Sequence, residues 1–244
     1  MSVFAAVIWG GRAAISLVMG AFLSMRFQLS NVITGAVMGF GSGALISSIA
    51  YELVPESTIG HGDGGMALAF VLGALTFFGS DWAVDRIGGK QRKNIADKQH
   101  DRSGAAIFLG TLLDGIPESL ILGIGLATGG AISVAFLMAV FVSNVPEGIA
   151  GTKSLLDVGY SKRKVLSMWT WLVIASALAS GLGFALVKSF PVVDGHYAQA
   201  FAAGAVLTML ADVMMPEAFE HGGKWVGLLT TLGFLTAAIL SVVE

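Results

Sequence analysis

Eight long apolar stretches dominate the chain, at about residues 3–24, 32–57, 65–84, 104–127, 130–152, 165–189, 197–219 and 223–243. Each supplies the roughly 20 mostly apolar residues that a bilayer-crossing helix needs. None alternates with period two as a membrane β-barrel strand does, so helices are expected. Composition agrees: 12% of the residues are charged and 55% hydrophobic, where a soluble domain carries about 25% charged. A water-soluble fold of 244 residues could not hide so much apolar surface. The expected class is an all-α polytopic membrane protein, an eight-helix bundle forming one transmembrane domain over residues 1–244, with the lipid bilayer as its surroundings. A net charge of −2 leaves no basic face for nucleic acid. The absence of cysteine removes disulfide frameworks, thiolate metal sites and cysteine nucleophiles together. The start of the chain lacks a basic region followed by a small-residue cleavage site, so residues 3–24 read as a retained first span.

Eight spans place both termini on one side. The connections after spans 1, 3, 5 and 7 hold Arg26; Arg86, Lys90, Arg92, Lys93, Lys98 and Arg102; Lys162, Arg163 and Lys164; and Lys224. The other side holds Lys188, with Arg12 and Lys153 lying inside or at the ends of spans. Cytoplasmic loops collect Lys and Arg, so both termini are expected to face away from the cytoplasm, and residues 86–103 to form a polar cytoplasmic loop. A bacterial plasma membrane is the default host.

Within this apolar background a tripeptide of proline, glutamate and a small residue recurs: Pro55-Glu56-Ser57, Pro117-Glu118-Ser119, Pro146-Glu147-Gly148 and Pro216-Glu217-Ala218. Four of the five prolines precede a glutamate, in a chain poor in acids. The pairs Glu52 and Glu56, Asp114 and Glu118, and Ser143 and Glu147 are each four residues apart, so each pair shares one helix face. Each proline also removes a helical hydrogen bond and releases a carbonyl four residues back: those of Tyr51, Leu113, Val142 and Asp212. In a bilayer such a carbonyl must find a partner in protein, water or an ion. By depth, Glu52 and Glu56 lie near the outer end, and Asp114, Glu118, Ser143, Asn144 and Glu147 near the midplane. Asp212, Glu217, Glu220 and His221 lie toward the inner end. Three midplane carboxylates would together cost roughly 7–10 kcal/mol on insertion scales, so they need a cation, protons or a water-filled cavity. A divalent metal ion supplies the opposite charge directly. The alternative for any single motif is a protonated carboxyl acting as structural glue between helices.

Other residues read more simply. Arg12 is expected to snorkel or to pair rather than to bind metal. His61, His100 and His196 fall in or beside loops. Met214 and Met215 suit packing. Gly35, Gly39, Gly41 and Gly43 have the spacing of close helix contacts, and Trp82 and Trp225 sit where interfacial anchors are expected.

The segments Asp114 to Ser119 (DGIPES) and Ser143 to Gly148 (SNVPEG), set in an eight-span chain with a polar loop between spans 3 and 4, resemble the ZIP family of metal-ion transporters. The resemblance implies an inverted-repeat (3+2+3) architecture in which spans 1–3 mirror spans 6–8 and span 4 mirrors span 5. It implies a metal site halfway across the membrane, with Glu118 and Glu147 as shared ligands. Asp114 and Ser143 occupy the family's histidine or glutamine positions, and Gly115 and Asn144 its asparagine and acidic positions. Both motif histidines are absent, which leaves oxygen donors. Those suit manganese, magnesium or calcium, whereas imidazole suits zinc. The family also implies a homodimer, which no residue of this sequence specifies.

The function expected is a divalent metal-ion transporter of the Zn/Mn/Fe type, carrying metal inward by alternating access. The metal ion is its substrate, and no organic cofactor is expected. Glu52 and Glu56 would attract the ion. Asp114, Glu118, Ser143, Asn144 and Glu147 would bind it, and Asp212, Glu217, Glu220 and His221 would receive it. Two other classes are a metal-binding sensor or accessory protein without transport, and a membrane-embedded metal-dependent hydrolase. The absence of Ser-His and His-Glu-x-x-His patterns speaks against an enzyme.

Overall fold

The computed structural model describes residues 2–27, 29–54, 64–86, 104–128, 134–189 and 195–243. Among them are eight helices long and apolar enough to cross a membrane, as expected of an integral membrane protein. They are α1 (Val3–Arg26), α2 (Asn31–Leu53), α3 (Gly64–Arg86), α4 (Gly104–Thr128), α5 (Val134–Asp157), α6 (Lys162–Ser189), α7 (Gly195–Gly222) and α8 (Trp225–Val243). Pro55, Glu56, His61 and the polar loop beyond Arg86, with His100, lie outside the described residues.

Local chemistry sets several of the ends. Ser2 and Ser30 cap α1 and α2 by accepting from the amides of Ala5 and Ile33. Ser161 caps α6 by accepting from Lys164. Helix α5 ends in a Schellman turn: the Tyr160 amide donates to the Leu155 carbonyl, the Gly159 amide to Leu156, and Gly159 takes φ 95°. The α7–α8 corner uses Gly223 at φ 62°. Helix α5 runs past residue 152, where the apolar stretch stops. Lys153 is tolerated inside the helix because its Nζ donates to Asn31 Oδ1 at 2.6 Å, joining α5 to the start of α2.

Proline acts in two ways. In α4 and α5 the helix continues straight through Pro117 and Pro146. In α2 and α7 the helix widens into a π turn just ahead of the proline, at Ile49–Leu53 and Leu210–Met214. There the amides of Val54 and Met215 reach five residues back, to Ile49 and Leu210. A π turn relieves the clash between a proline ring and the carbonyl four residues earlier.

Helices α2, α4, α5 and α7 form the inside of the bundle, with 61–67% of each span buried, against 17% for α3 and α8. Helix α1 packs on α5 and α6, α4 on α6 and α7, α2 on α5 and α8, and α3 on α7. Glycine permits the closest of these approaches. Gly123 lies against the Ser180 carbonyl of α6, and Gly183 faces Leu120 in return. Gly43 and Gly233 make the corresponding contacts between α2 and α8. Buried polar links join some of these helices: Trp169 Nε1 donates to Thr152 Oγ1 at 2.7 Å, and Ser180 Oγ to the Ala6 carbonyl at 2.9 Å. The outward faces carry Leu68, Leu75, Phe78, Leu178, Leu228, Leu232 and Ile239, the surface that hydrocarbon requires. At the helix ends Arg86 lies over the Trp82 ring at 3.6 Å and Lys224 over Trp225 at 5.9 Å. These are amphipathic pairs suited to a membrane interface. Arg12 is the exception, an exposed cation well inside α1, at a depth where insertion costs about 2.5–3.5 kcal/mol.

The glycine contacts give a direct test. A methyl at Gly123 would collide with backbone of α6, whereas one at Gly125 meets nothing within 4 Å. Gly123→Ala is expected to cost about 1–3 kcal/mol through overpacking, and Gly125→Ala to leave the thermal midpoint in detergent unchanged or raised. Equal midpoints for the two variants would contradict the packing described.

Candidate functional site

Three of the inner helices bring carboxylates to one place. Asp114 of α4, Glu147 of α5 and Glu217 of α7 line a cavity of about 50 Å³. The Thr111 and Ser154 hydroxyls share its wall, with Ile107, Ala150, Gly151 and Val213 supplying the apolar remainder. Trp169 stacks behind Gly151 and holds α6 against this wall. A space of this size holds one or two waters, and five oxygen-bearing side chains are enough to hydrogen-bond them.

The positions follow from helix geometry. Thr111 and Asp114 are three apart on α4, and Glu147 and Ser154 seven apart on α5, so each pair lies on one face. Thr111 Oγ1 donates to the Ile107 carbonyl at 3.2 Å, which leaves its lone pairs free to accept. Sequence reading overlooked Thr111 and Ser154, although the same three–seven spacing from Asp114 and Glu147 was available to find them. Glu217, expected toward the inner end of its span, lines the same cavity as Asp114 and Glu147, which extends along α4 and α5 to Ile107 and Ser154.

Glu118 lies one turn beyond Asp114 and is 1% exposed; neither of its carboxylate oxygens has a hydrogen-bond partner. Asn144 is likewise buried, and its Oδ1 accepts no bond. Buried acceptors left open in this way call for a water, a proton or an ion. Ser143 turns elsewhere. It is fully buried where Gly41 of α2 crosses α5, and its hydroxyl donates to the Val140 carbonyl at 2.9 Å. Gly115 faces Ser176 of α6 in ordinary contact.

The remaining sequence candidates lie apart from the cavity. Glu52 sits half-buried on the π turn of α2 and Asp212 half-buried on that of α7. Glu220 is exposed near the end of α7. His221 is buried against Gly35 of α2, and its Nε2 has no hydrogen-bond partner. Glu56 lies outside the described residues. Among the described residues no three His, Asp or Glu side chains converge on a single point as a tight metal cluster does. The three carboxylates share the lining of a water-sized space.

The cavity predicts a pattern of chemical reactivity that the cysteine-free chain makes simple to measure. Ser154→Cys is expected to react with a charged, membrane-impermeant thiol reagent in proteoliposomes or detergent, because its wall is polar and wet. Leu178→Cys, on the lipid-facing side of α6, is expected to stay unlabelled. Equal labelling of both would mean that the cavity is not an aqueous site.

Compared with family models and with curated proteins, the chain gives no match to either.

Proposed function

We propose that this chain is a divalent metal-ion permease that works by alternating access through a midplane carboxylate site. The observation that carries the proposal is the convergence of Asp114, Glu147 and Glu217 from three helices on one small cavity inside an apolar bundle. Carboxylates gathered in low dielectric repel one another, and a divalent cation among them would relieve that repulsion. Carboxylate and hydroxyl oxygens select hard divalent cations over soft ones. A water-sized space lined by carboxylates suits an ion that keeps part of its water, as Mg²⁺ does. Glu118 and Asn144, one turn away with open acceptor oxygens, are the donors that a more dehydrated ion would draw in.

Helix pairing supports an inverted-repeat, ZIP-like architecture. Exchange α1, α2 and α3 for α6, α7 and α8, and α4 for α5. The α1–α5 contact then becomes α6–α4, α2–α8 becomes α7–α3, and α2–α5 becomes α7–α4, and both members of each pair occur. The π turns of α2 and α7 exchange as well. Two such halves give two related conformations, one open to each side, about a fixed site. Arg26, Arg86, Lys162, Arg163, Lys164 and Lys224 gather at one end of the described helices, which supports extracytoplasmic termini in a bacterial plasma membrane. On this arrangement Glu52 serves the outer mouth, and Asp212, Glu220 and His221 the inner one. No covalent bond is made or broken.

The test is ion flux into proteoliposomes loaded with a fluorescent chelator, with Mn²⁺ and Zn²⁺ offered separately. Asp114→Asn, Glu147→Gln and Glu217→Gln are each expected to slow entry about tenfold or more, because each removes one ligand charge. Glu118→Gln combined with Glu147→Gln is expected to abolish it. These amides are close in shape to the acids and remove buried charge, so thermal midpoints should hold or rise. Wild-type flux in the double variant would sink the proposal. Metal binding by the wild-type protein without flux would favour a sensor or accessory role.

A further inference from the structure

Arg12 lies on the outward face of α1, in a stripe formed by Phe4, Ile8, Arg12, Ile15, Met19 and Phe22. These residues follow one another at intervals of three and four, so they form one continuous ridge. The opposite face of α1, with Ala6, Ala13, Ala14, Leu17 and Ala21, is buried against α5 and α6. The ridge is what hydrocarbon should meet, and a guanidinium in its middle is foreign to it. Helix rise puts Arg12 about 14 Å from the start of α1, close to the middle of a helix about 36 Å long. Among the described residues no carboxylate pairs with it. Its guanidinium carbon lies 4.7 Å from the centre of the Trp9 ring. Trp9 precedes Arg12 by three positions, so the charged end is directed toward the N-terminal end of α1, the direction in which helical side chains lean. Trp9 itself packs on the cluster of Ala6, Leu126, Ala127 and Phe184, which fixes the ring in place.

We propose that Arg12 and Trp9 bind the phosphate of an anionic phospholipid in the leaflet at the N-terminal end of α1. A guanidinium grips a phosphate with two parallel hydrogen bonds, and its weak hydration suits it to a half-buried position. A long basic side chain in a membrane helix draws headgroups and water down to itself. The lipid tails then lie along the apolar ridge toward Ile15 and Met19. A second copy of this chain is the weaker candidate for the counter-charge. Asp114 and Glu118 are buried, and Glu147 lines the internal cavity. The exposed acids Asp157 and Glu220 lie near the C-terminal ends of α5 and α7. None offers a carboxylate on an outer face at the depth of Arg12. Because α1 also touches α5 closely where Leu17 meets Gly148, a lipid held at Arg12 braces the helix next to Glu147.

The experiment is native mass spectrometry of the full chain released from detergent after titration with phosphatidylglycerol or phosphatidylcholine. It compares the wild type, Arg12→Gln and Arg12→Lys, with thermal transitions in lipid-free detergent as a check on folding. The wild type is expected to retain one phosphatidylglycerol about tenfold more tightly than Arg12→Gln, with Arg12→Lys between them and phosphatidylcholine held weakly by all three. If Arg12→Gln fails to fold, Arg12→Lys and Trp9→Phe carry the comparison. Equal phosphatidylglycerol retention by wild type and variants would overturn the proposal. A protein dimer or co-purifying acidic membrane protein that depends on Arg12, with lipid binding unchanged, would overturn it in favour of a protein partner. Retention is measured without ion flux, so its failure leaves the transport proposal untouched.

Discussion

A carboxylate in hydrocarbon has nowhere to place its charge, and the inner bundle is arranged around that constraint. Asp114, Glu147 and Glu217 would each be costly on a lipid-facing helix. Collected on one cavity, they can share water, protons or a passing cation. This collection requires α4, α5 and α7 to lie at the centre, which leaves α3 and α8 at the edge with most of their surface toward lipid. Motif and architecture are consequences of the same electrostatic problem.

Helices meeting in a bilayer gain no hydrophobic driving force from one another, so contact distance decides how well they hold. Glycine supplies it at Gly123 against α6 and at Gly43 against α8. Side-chain hydroxyls, with no water beside them, turn back on their own helix. Ser42 donates to Met38, Thr76 to Leu72, Thr170 to Leu166 and Thr236 to Leu232. Such local bonds satisfy the donor without joining helices. Helix-to-helix links among the described residues include buried pairs such as Trp169 with Thr152, set within close packing.

Hydropathy was enough to read the eight spans, because each is a long apolar run in a chain with little charge to interrupt it. The helical spacing of Asp114 with Glu118, and of Ser143 with Glu147, was legible for the same reason that any amphipathic stripe is, although the Ser143 hydroxyl donates to the carbonyl of Val140 on its own helix. Two features were hidden. Lys153 looked like the end of a span, since the bond that shelters it goes to Asn31, far away in sequence. The cavity-lining position of Glu217 was hidden too, because residue counting gives depth along α7 but assumes a uniform helix for direction. The Leu210–Met214 turn breaks that assumption just ahead of it.

That wide turn sets an angular phase. A π turn holds one extra residue in the space of an ordinary turn, and one residue of α-helix is about 100° of rotation. Everything in α7 after Met214 is therefore rotated relative to the helix before it. Glu217, which lines the cavity, lies just beyond that turn. Were the turn to relax into α-helix, with the extra residue passed along the chain, the carboxylate would swing out of the cavity without any helix having to move as a whole. The matching turn in α2, Ile49–Leu53, contains Glu52 itself. Glu52 and Glu217 thus sit in, or just beyond, wide turns of two helices that pack on each other, and the backbone bonds that hold those turns are local ones.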